Sequence, residues 1–331
     1  MKQLRFILFV IIATTIVACG DSTQKKRVGP KKTTTSQPWE LLVVANKEWL
    51  KAPAGSILME TLNSEIPCLP ASEPYFRTMS VNPRGFSKTF KGFANIIFAE
   101  VDKKYDKAEM KLSRNDYAKP QLLMSITAPS DKEFAEFVSS HSQSILNTFI
   151  DAELERTKDM LTSHHSNIAY KQAKKQFGYT IYAPAEIDAV KTGKNFMWAS
   201  SDKLDNRYNL CIYTYPYDKT DFSQESIIEH RDSVMKVNIK GDKDYQYMAT
   251  QPLLSISRLI TLNGNDNIIE VRGLWTMTND MMGGPFVSYT QVDTTSNKVI
   301  VTEGFVYAPE KSKRELIRSL EAALRTLEIN N

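Results

Sequence analysis

The sequence predicts an α+β fold in two domains, antiparallel sheets with covering helices, the second domain an α/β/α sandwich. Three observations predict it. Short apolar runs bounded by Gly, Pro, Asn and Asp recur along the chain and read as strands. One long stretch after Ser130 repeats apolar residues at spacings of three and four, the pattern of a helix. The last third holds four strand-like runs and then a stretch lined on one face by Leu316, Leu320, Ala323, Leu324 and Leu327. A chain of 331 residues, 42% hydrophobic, is long enough for two cores at about 150 residues each.

The first twenty residues stand apart. Lys2 and Arg5 precede an apolar run over 6–17, followed by Ala18, Cys19 and Gly20. A basic start, a short apolar stretch and small residues form a secretory signal over 1–18, and a membrane span needs about 20 apolar residues. Cys19 after the small residues resembles the lipobox of bacterial lipoproteins. That resemblance implies cleavage before Cys19 and acylation of its thiol and new amino terminus. Residues 19–37 are polar and rich in Lys, Thr and Ser, so they read as a lipidated, disordered tether. The expected location is the cell envelope, at the outer membrane facing the periplasm, with the membrane reached through acylated Cys19.

The first domain is placed at 38–176. Residues 39–45 are a continuous apolar run, a buried strand. Residues 47–63 carry a helical pattern interrupted by Pro53 and Gly55. Strands are expected at 76–81, 93–101 and 121–128, and the charged stretch 103–120 reads as a loop or irregular hairpin. Ser130 and Glu133 have the spacing of a capping box. The helix they open has Phe134, Phe137, Val138, Ile145, Phe149 and Leu154 on one face and is expected to run to about Lys175.

The second domain is placed at 177–331. Strands are expected at 179–183, 195–200 and 209–215, then a helix over 221–239 with Phe222, Ile227, Ile228, Val234 and Val237 inward. A β-meander follows, its first hairpin turning at Asn263-Gly264, the strongest short hairpin signal. Its strands are expected at 253–262, 268–277, 286–292 and 299–307, and Pro309 marks the expected start of the final helix.

Two resemblances follow from these residues. The order of the second half is similar to the PsbP/Mog1-like sandwich, in which helices cover an antiparallel sheet. The chain from Cys19 onward also resembles a family of Bacteroidetes lipoproteins built on a domain of unknown function. That likeness rests on the lipobox, the Trp39–Ala45 opening, Gly283-Gly284-Pro285-Phe286 and the passage from Glu303 to Pro309. It implies an envelope location and supplies no catalytic residues.

Chemistry is sparse. The net charge of +4 is spread over 42 basic and 38 acidic residues, which argues against nucleic acid as a partner. The four histidines, His141, His164, His165 and His230, have no zinc-binding spacing, and His141 falls on or beside the apolar stripe of its helix. Ser-x-x-Lys at Ser200 and Ser233 lacks the companion triplet in the order a penicillin-binding enzyme needs. No enzyme, cofactor or metal is therefore expected. Cys68 and Cys211 read as two free thiols, although a pair in an oxidising compartment could form a disulfide. Two candidate binding surfaces remain. Met281, Met282, Gly283 and Gly284 form a loop whose glycines allow positive φ and whose methionines either suit an adaptable protein contact or, the favoured expectation, fold onto the sheet edge as part of a long hairpin connection. Tyr213, Tyr215 and Tyr217 alternate along one strand and share a face, which suits a glycan platform or a half-buried layer under a helix. The leading expectation is a non-enzymatic protein that binds or assembles with another envelope protein. Glycan or small-ligand binding is the alternative, and a hydrolase with an unrecognised site comes third.

Overall fold

The structure is a computed structural model that describes residues 32–201, 207–218, 222–262 and 264–329. The signal, Cys19 and most of the expected tether lie outside the described residues. The first half lays down β1 (Lys32–Thr33), β2 (Glu40–Val44), α1 (Pro53–Leu62), β3 (Arg77–Val81), β4 (Asn95–Val101), β5 (Glu109–Arg114), β6 (Ala118–Lys119), β7 (Leu122–Ala128) and α2 (Asp131–Ser163). The second half opens with α3 (Asn167–Phe177), β8 (Tyr179–Thr180), β9 (Ala189–Gly193), β10 (Phe196–Ser200), β11 (Arg207–Pro216) and α4 (Gln224–Asn238). It closes with β12 (Met248–Thr250), β13 (Ile256–Leu262), β14 (Asn265–Met277), β15 (Gly283–Asp293), β16 (Lys298–Tyr307), α5 (Arg314–Leu324) and β17 (Glu328–Ile329).

The α+β class with two sheets under helices holds, and the first sheet differs in direction from the expectation. Its order is β3-β2-β4-β7-β5, and β2 runs parallel to β3 and β4, as β4 does to β7. Only β5 is antiparallel. Parallel neighbours need crossover connections, which α1 and residues 82–94 supply, and both faces are then covered. This explains why β2 and β4 read as continuous apolar runs. One face packs Leu41, Val43, Ile97 and Met124 under Leu58, Phe134 and Phe149 of the helices. On the other, Leu42, Val44 and Ile96 meet Phe90 and Phe93.

Residues 32–37 are part of the folded body and not of a free tether. β1 pairs with β6, Thr35 N donates to Gly92 O at 2.9 Å, and Ala94 N donates to the Ser36 hydroxyl. The capping box forms as expected: Ser130 Oγ accepts from Glu133 N and donates to the Glu133 carboxylate. The helix stops at Ser163 rather than near Lys175. Ser166 caps a separate α3 and donates its hydroxyl to Ile187 O, which turns the chain away. Gly178, at φ 78°, ends α3 in the left-handed conformation glycine favours.

The second sheet is antiparallel throughout, in the order β12-β14-β15-β16-β11-β10-β9, with β13 also paired to β14. β9 and β12 are too short and polar to have been visible as apolar runs. α4 covers one face, where Cys211, Val271, Trp275, Phe286 and Phe305 meet Ile227 and Met235. Val237, expected inward, is 70% exposed, and Arg231 takes its place in the buried stripe. On the other face, α5 lays Leu316, Leu320 and Ala323 over Leu210, Val287 and Ile300. α5 also packs on α2, so the helices lie between the sheets and one apolar core joins them. Residues from Lys32 onward form one compact unit. α5 starts at Arg314 and not at Pro309, because the Glu73 carboxylate accepts from Lys313 N at 2.7 Å and Arg314 N at 3.2 Å. An anion at that position suits the positive end of the helix.

Candidate functional site

The segment after β14 is a short, tied turn. Met277 N donates to Met282 O at 2.8 Å, Thr278 N donates to Tyr247 O at 2.9 Å, and Gln246 Nε2 reaches Asn279 O at 3.0 Å. Asn279 carries the positive φ, 55°, that the turn requires. The expectation that Gly283 and Gly284 supply positive φ is therefore corrected, since both lie in β15, paired with Thr276 and Trp275. Their role is close approach: a Cβ on Gly284 would strike Val306 O, which accepts from Trp275 Nε1 at 3.1 Å. The methionines separate. Met282 packs against the core under α4, and Met281 is fully exposed. Met281, Gly283 and Gly284 border a cleft of about 320 Å³ that Pro70, Gln251 and Pro309 complete.

Tyr213, Tyr215 and Tyr217 do share a face, and α4 covers most of it. Tyr213 is buried, and burial pushes its hydroxyl well above the ordinary range. Tyr215 stacks on His230 of α4 with ring centroids 4.7 Å apart, and burial pushes its hydroxyl up to about 12. An open platform of three rings is thereby excluded: among the described cavities Tyr217 alone of the three lines one, and Tyr213 is buried.

The most exposed apolar surface was not singled out from the sequence. β13 pairs with β14 alone among the described strands, so its other edge is open. Leu253, 98% exposed, and Leu254 lead into it, and Ile256 and Leu259 stand exposed on it. In the sequence this stretch reads as one more strand, 253–262, and its exposure follows from the structure, where no described helix covers it. β5 is also an edge, but Glu109, Lys111 and Arg114 guard it with charge, a usual defence against strand addition. On β13 the one charged side chain, Arg258, is tied to Glu270 at 2.8 Å.

Two buried ionic groups lie on opposite faces of the second sheet. Under α4, Arg231 donates Nε and Nη2 to Glu303 at 2.9 and 2.7 Å, Nη1 to the Thr250 hydroxyl, and lies 4.0 Å from the Phe286 ring centre. Burial raises the Glu303 carboxyl, and Arg231 only partly opposes it. Under α5, Arg272 bridges Glu270 and Glu321, and Arg318 donates to Glu321 at 2.5 Å. Burial pushes Glu321 up, but Arg272, Arg318 and Arg325 outweigh it and hold the carboxyl at about 2. No cleft opens onto either group among the described cavities, so both act as internal fastenings.

The remaining residues do not converge. His141 is exposed and stacked on Phe137, not buried in the stripe of α2. Ser233 and Lys236 are both exposed on α4. Cys68 and Cys211 are free thiols. Burial raises both, and Cys68 sits beside the Ile256 backbone at the start of β13.

These geometries define a two-sheet α+β protein whose accessible features are an apolar strand edge and shallow clefts. Family models described as Domain of unknown function match both halves, DUF8532 over residues 34–162 and DUF4837 over residues 166–326. A comparison with curated proteins finds no match. Among solved structures, the chain is similar to the Saccharomyces cerevisiae Ran-binding protein Mog1p at 8% identity and a TM-score of 0.33, over 46% of this chain and 92% of that one. It is also similar to a Bacteroides thetaiotaomicron protein at 10% identity and a TM-score of 0.26, over 46% of this chain and 45% of that one.

Proposed function

We propose that the chain is a lipid-anchored protein of the cell envelope that binds another protein without catalysing a reaction. The observation that carries the reading is the open edge of β13, where the one charged side chain, Arg258, is paired with Glu270 and into which exposed Leu253 and Leu254 lead. An extended segment of a partner adds to such an edge through main-chain hydrogen bonds, and apolar side chains along it supply selectivity. The anchor rests on the signal and Cys19 in the sequence.

Both parts are testable. A photo-crosslinker at Ser257, in cells of the native host, should form one discrete heterologous adduct, and the same probe at Glu136 on α2 should form none. A Leu253→Lys/Leu259→Lys variant, altered only at exposed positions, should lower the adduct about tenfold while melting normally. An adduct only with a second copy of the chain, or one indifferent to that variant, overturns the edge as a partner site. Cys19→Ser should move the protein from the membrane to the soluble fraction, and retention in the membrane overturns the anchor.

A further inference from the structure

If an extended segment of a partner adds to β13, as proposed above, the side chains of β13 decide which segment fits. β13 pairs with β14 in a register that sets Arg258 opposite Glu270 and Leu259 opposite Ile269. Successive side chains of a strand point to opposite faces. Arg258 and Ile260 therefore stand on the α5 face, and Ser257 and Leu259 on the α4 face. The Cys68 sulfur lies beside the Ile256 backbone at one end, and the pairing slips between Ile260 and Leu262 at the other. Residues 257–260 are the stretch that an incoming strand meets.

Charge singles out Arg258. Under α5, Arg258, Arg272, Arg318 and Arg325 are linked through Glu270 and Glu321, and Arg325 also reaches Asp151. Four guanidiniums thus share three carboxylates among the described residues. Glu270 Oε1 accepts from Arg258 Nε at 2.8 Å and from Arg272 Nε at 2.9 Å, so one oxygen is divided between two cations. The Arg258 side chain is 51% exposed, against 3% for Arg272 and 1% for Arg318. Its Nη1 and Nη2 have no partner among the described residues. The surplus positive charge of the cluster therefore reaches solvent on the open strand, as a planar fork of donors whose geometry matches a carboxylate. Beside it in sequence, Leu259 stands exposed on the other face.

We propose that the partner of this edge is an extended segment carrying an Asp or Glu opposite Arg258 and, at the adjacent position, a large apolar side chain opposite Leu259. The two positions are neighbours in the segment whichever direction it runs. Cross-strand pairs of this kind, opposite charges on one face and apolar side chains on the other, stabilise an added strand. The Ser257 crosslink in the full chain provides the test. Mass spectrometry of the crosslinked partner peptide should find an Asp or Glu within about two residues of the linked position, next to a large apolar residue. Arg258→Gln should lower the adduct about threefold, and Arg258→Lys, which keeps the charge, should hold most of it. Glu270 keeps both its bonds from Arg272 in either variant, so melting should stay near that of the unaltered chain. Changing the mapped partner carboxylate to its amide tests the same contact without touching this fold. It should cost as much as Arg258→Gln, and the two together no more than either alone. A mapped segment without an acidic residue, an adduct indifferent to Arg258→Gln, or losses that simply add overturns the assignment and leaves the edge as the partner site. No adduct at all in the unaltered chain fails the edge itself, and the assignment with it.

Discussion

Glu303→Gln should destabilise the protein by about 3–5 kcal/mol, the loss seen when one partner leaves a buried ion pair. The geometry at this site supports that range. Glu303 is 0% exposed and Arg231 1%, and the two carboxylate oxygens accept from Nε and Nη2 at 2.9 and 2.7 Å. Glutamine keeps one acceptor oxygen and turns an NH2 group toward a guanidinium that only donates. Arg231 cannot shed its proton at accessible pH, and its remaining partners are Asp232, Thr250 and Met248. The buried cation is then left with Asp232, 3.2 Å from Nη1, as its one anionic partner among the described residues, and Nε and Nη2 lose their carboxylate. Taking the lower end of roughly 2–4 °C per kcal/mol, the melting temperature should fall by ~6–10 °C. Urea unfolding followed by far-UV circular dichroism measures the free energy directly. An Arg231→Met/Glu303→Leu variant, which removes both charges, should recover most of the loss. A Glu303→Gln loss below about 1 kcal/mol, the scale of an exposed pair, would refute the reasoning.

Three further outcomes are expected. Glu321 is held at about 2 against an ordinary 4.5, so its stabilising contribution is present above pH 4.5 and is lost as pH falls toward 2. Glu321→Gln should flatten that acid limb in pH-dependent urea titrations, and an unchanged limb would place the acid sensitivity elsewhere. Gly284→Ala should lower stability by ~2 kcal/mol or more, because its Cβ meets the backbone of Val306 and not a movable side chain. An unaltered urea midpoint would show that β15 and β16 can part at no cost. With a thiol reagent at neutral pH, Cys68 should react slowly in the native protein, and Cys211 only on unfolding. Equal native reactivity would contradict the burial of Cys211.

The sequence made legible those features that apolar periodicity controls. The capping box at Ser130, the strands around Val43 and Ile97, the hairpin that pairs Leu262 with Asn265 (its expected Asn263 lies outside the described residues) and the Leu316–Leu324 stripe were all legible in local side-chain type and spacing. Strand direction was less legible. A continuous run such as that of β2 shows burial on both faces, and the parallel pairing it implies appears only when the crossovers are traced. Buried charge was not legible at all. Arg231, Glu303, Arg272 and Arg318 read as surface residues in any polar-outside pattern, because burial of a charge depends on a partner far away in the chain. The site residues divide in the same way. The place of Met281 and Met282 at a hairpin tip favoured folding onto the sheet edge, which Met282 does while Met281 stands exposed. The burial of Tyr213 depended on where α4 would lie, which no local spacing records.

The joint between the halves follows the same logic. In sequence the chain divides at the break between α2 and α3, where one family match ends and the next begins. In space the division is crossed by α5. Glu73 caps that helix, Arg77 pairs with Glu315, Arg325 reaches Asp151, and the Arg318 guanidinium lies 4.5 Å from the ring centre of Trp39 and 5.1 Å from that of Tyr75. Burial lowers the Arg318 basicity, so its charge is tolerated only while Glu321 and the two aromatic faces surround it. Separating the halves would remove both rings, uncap α5 and open the apolar seam against α2 in one step. The last helix thus belongs to the second half by sequence and to both by energy. The β13 edge lies on a sheet that α5 ties to the first half.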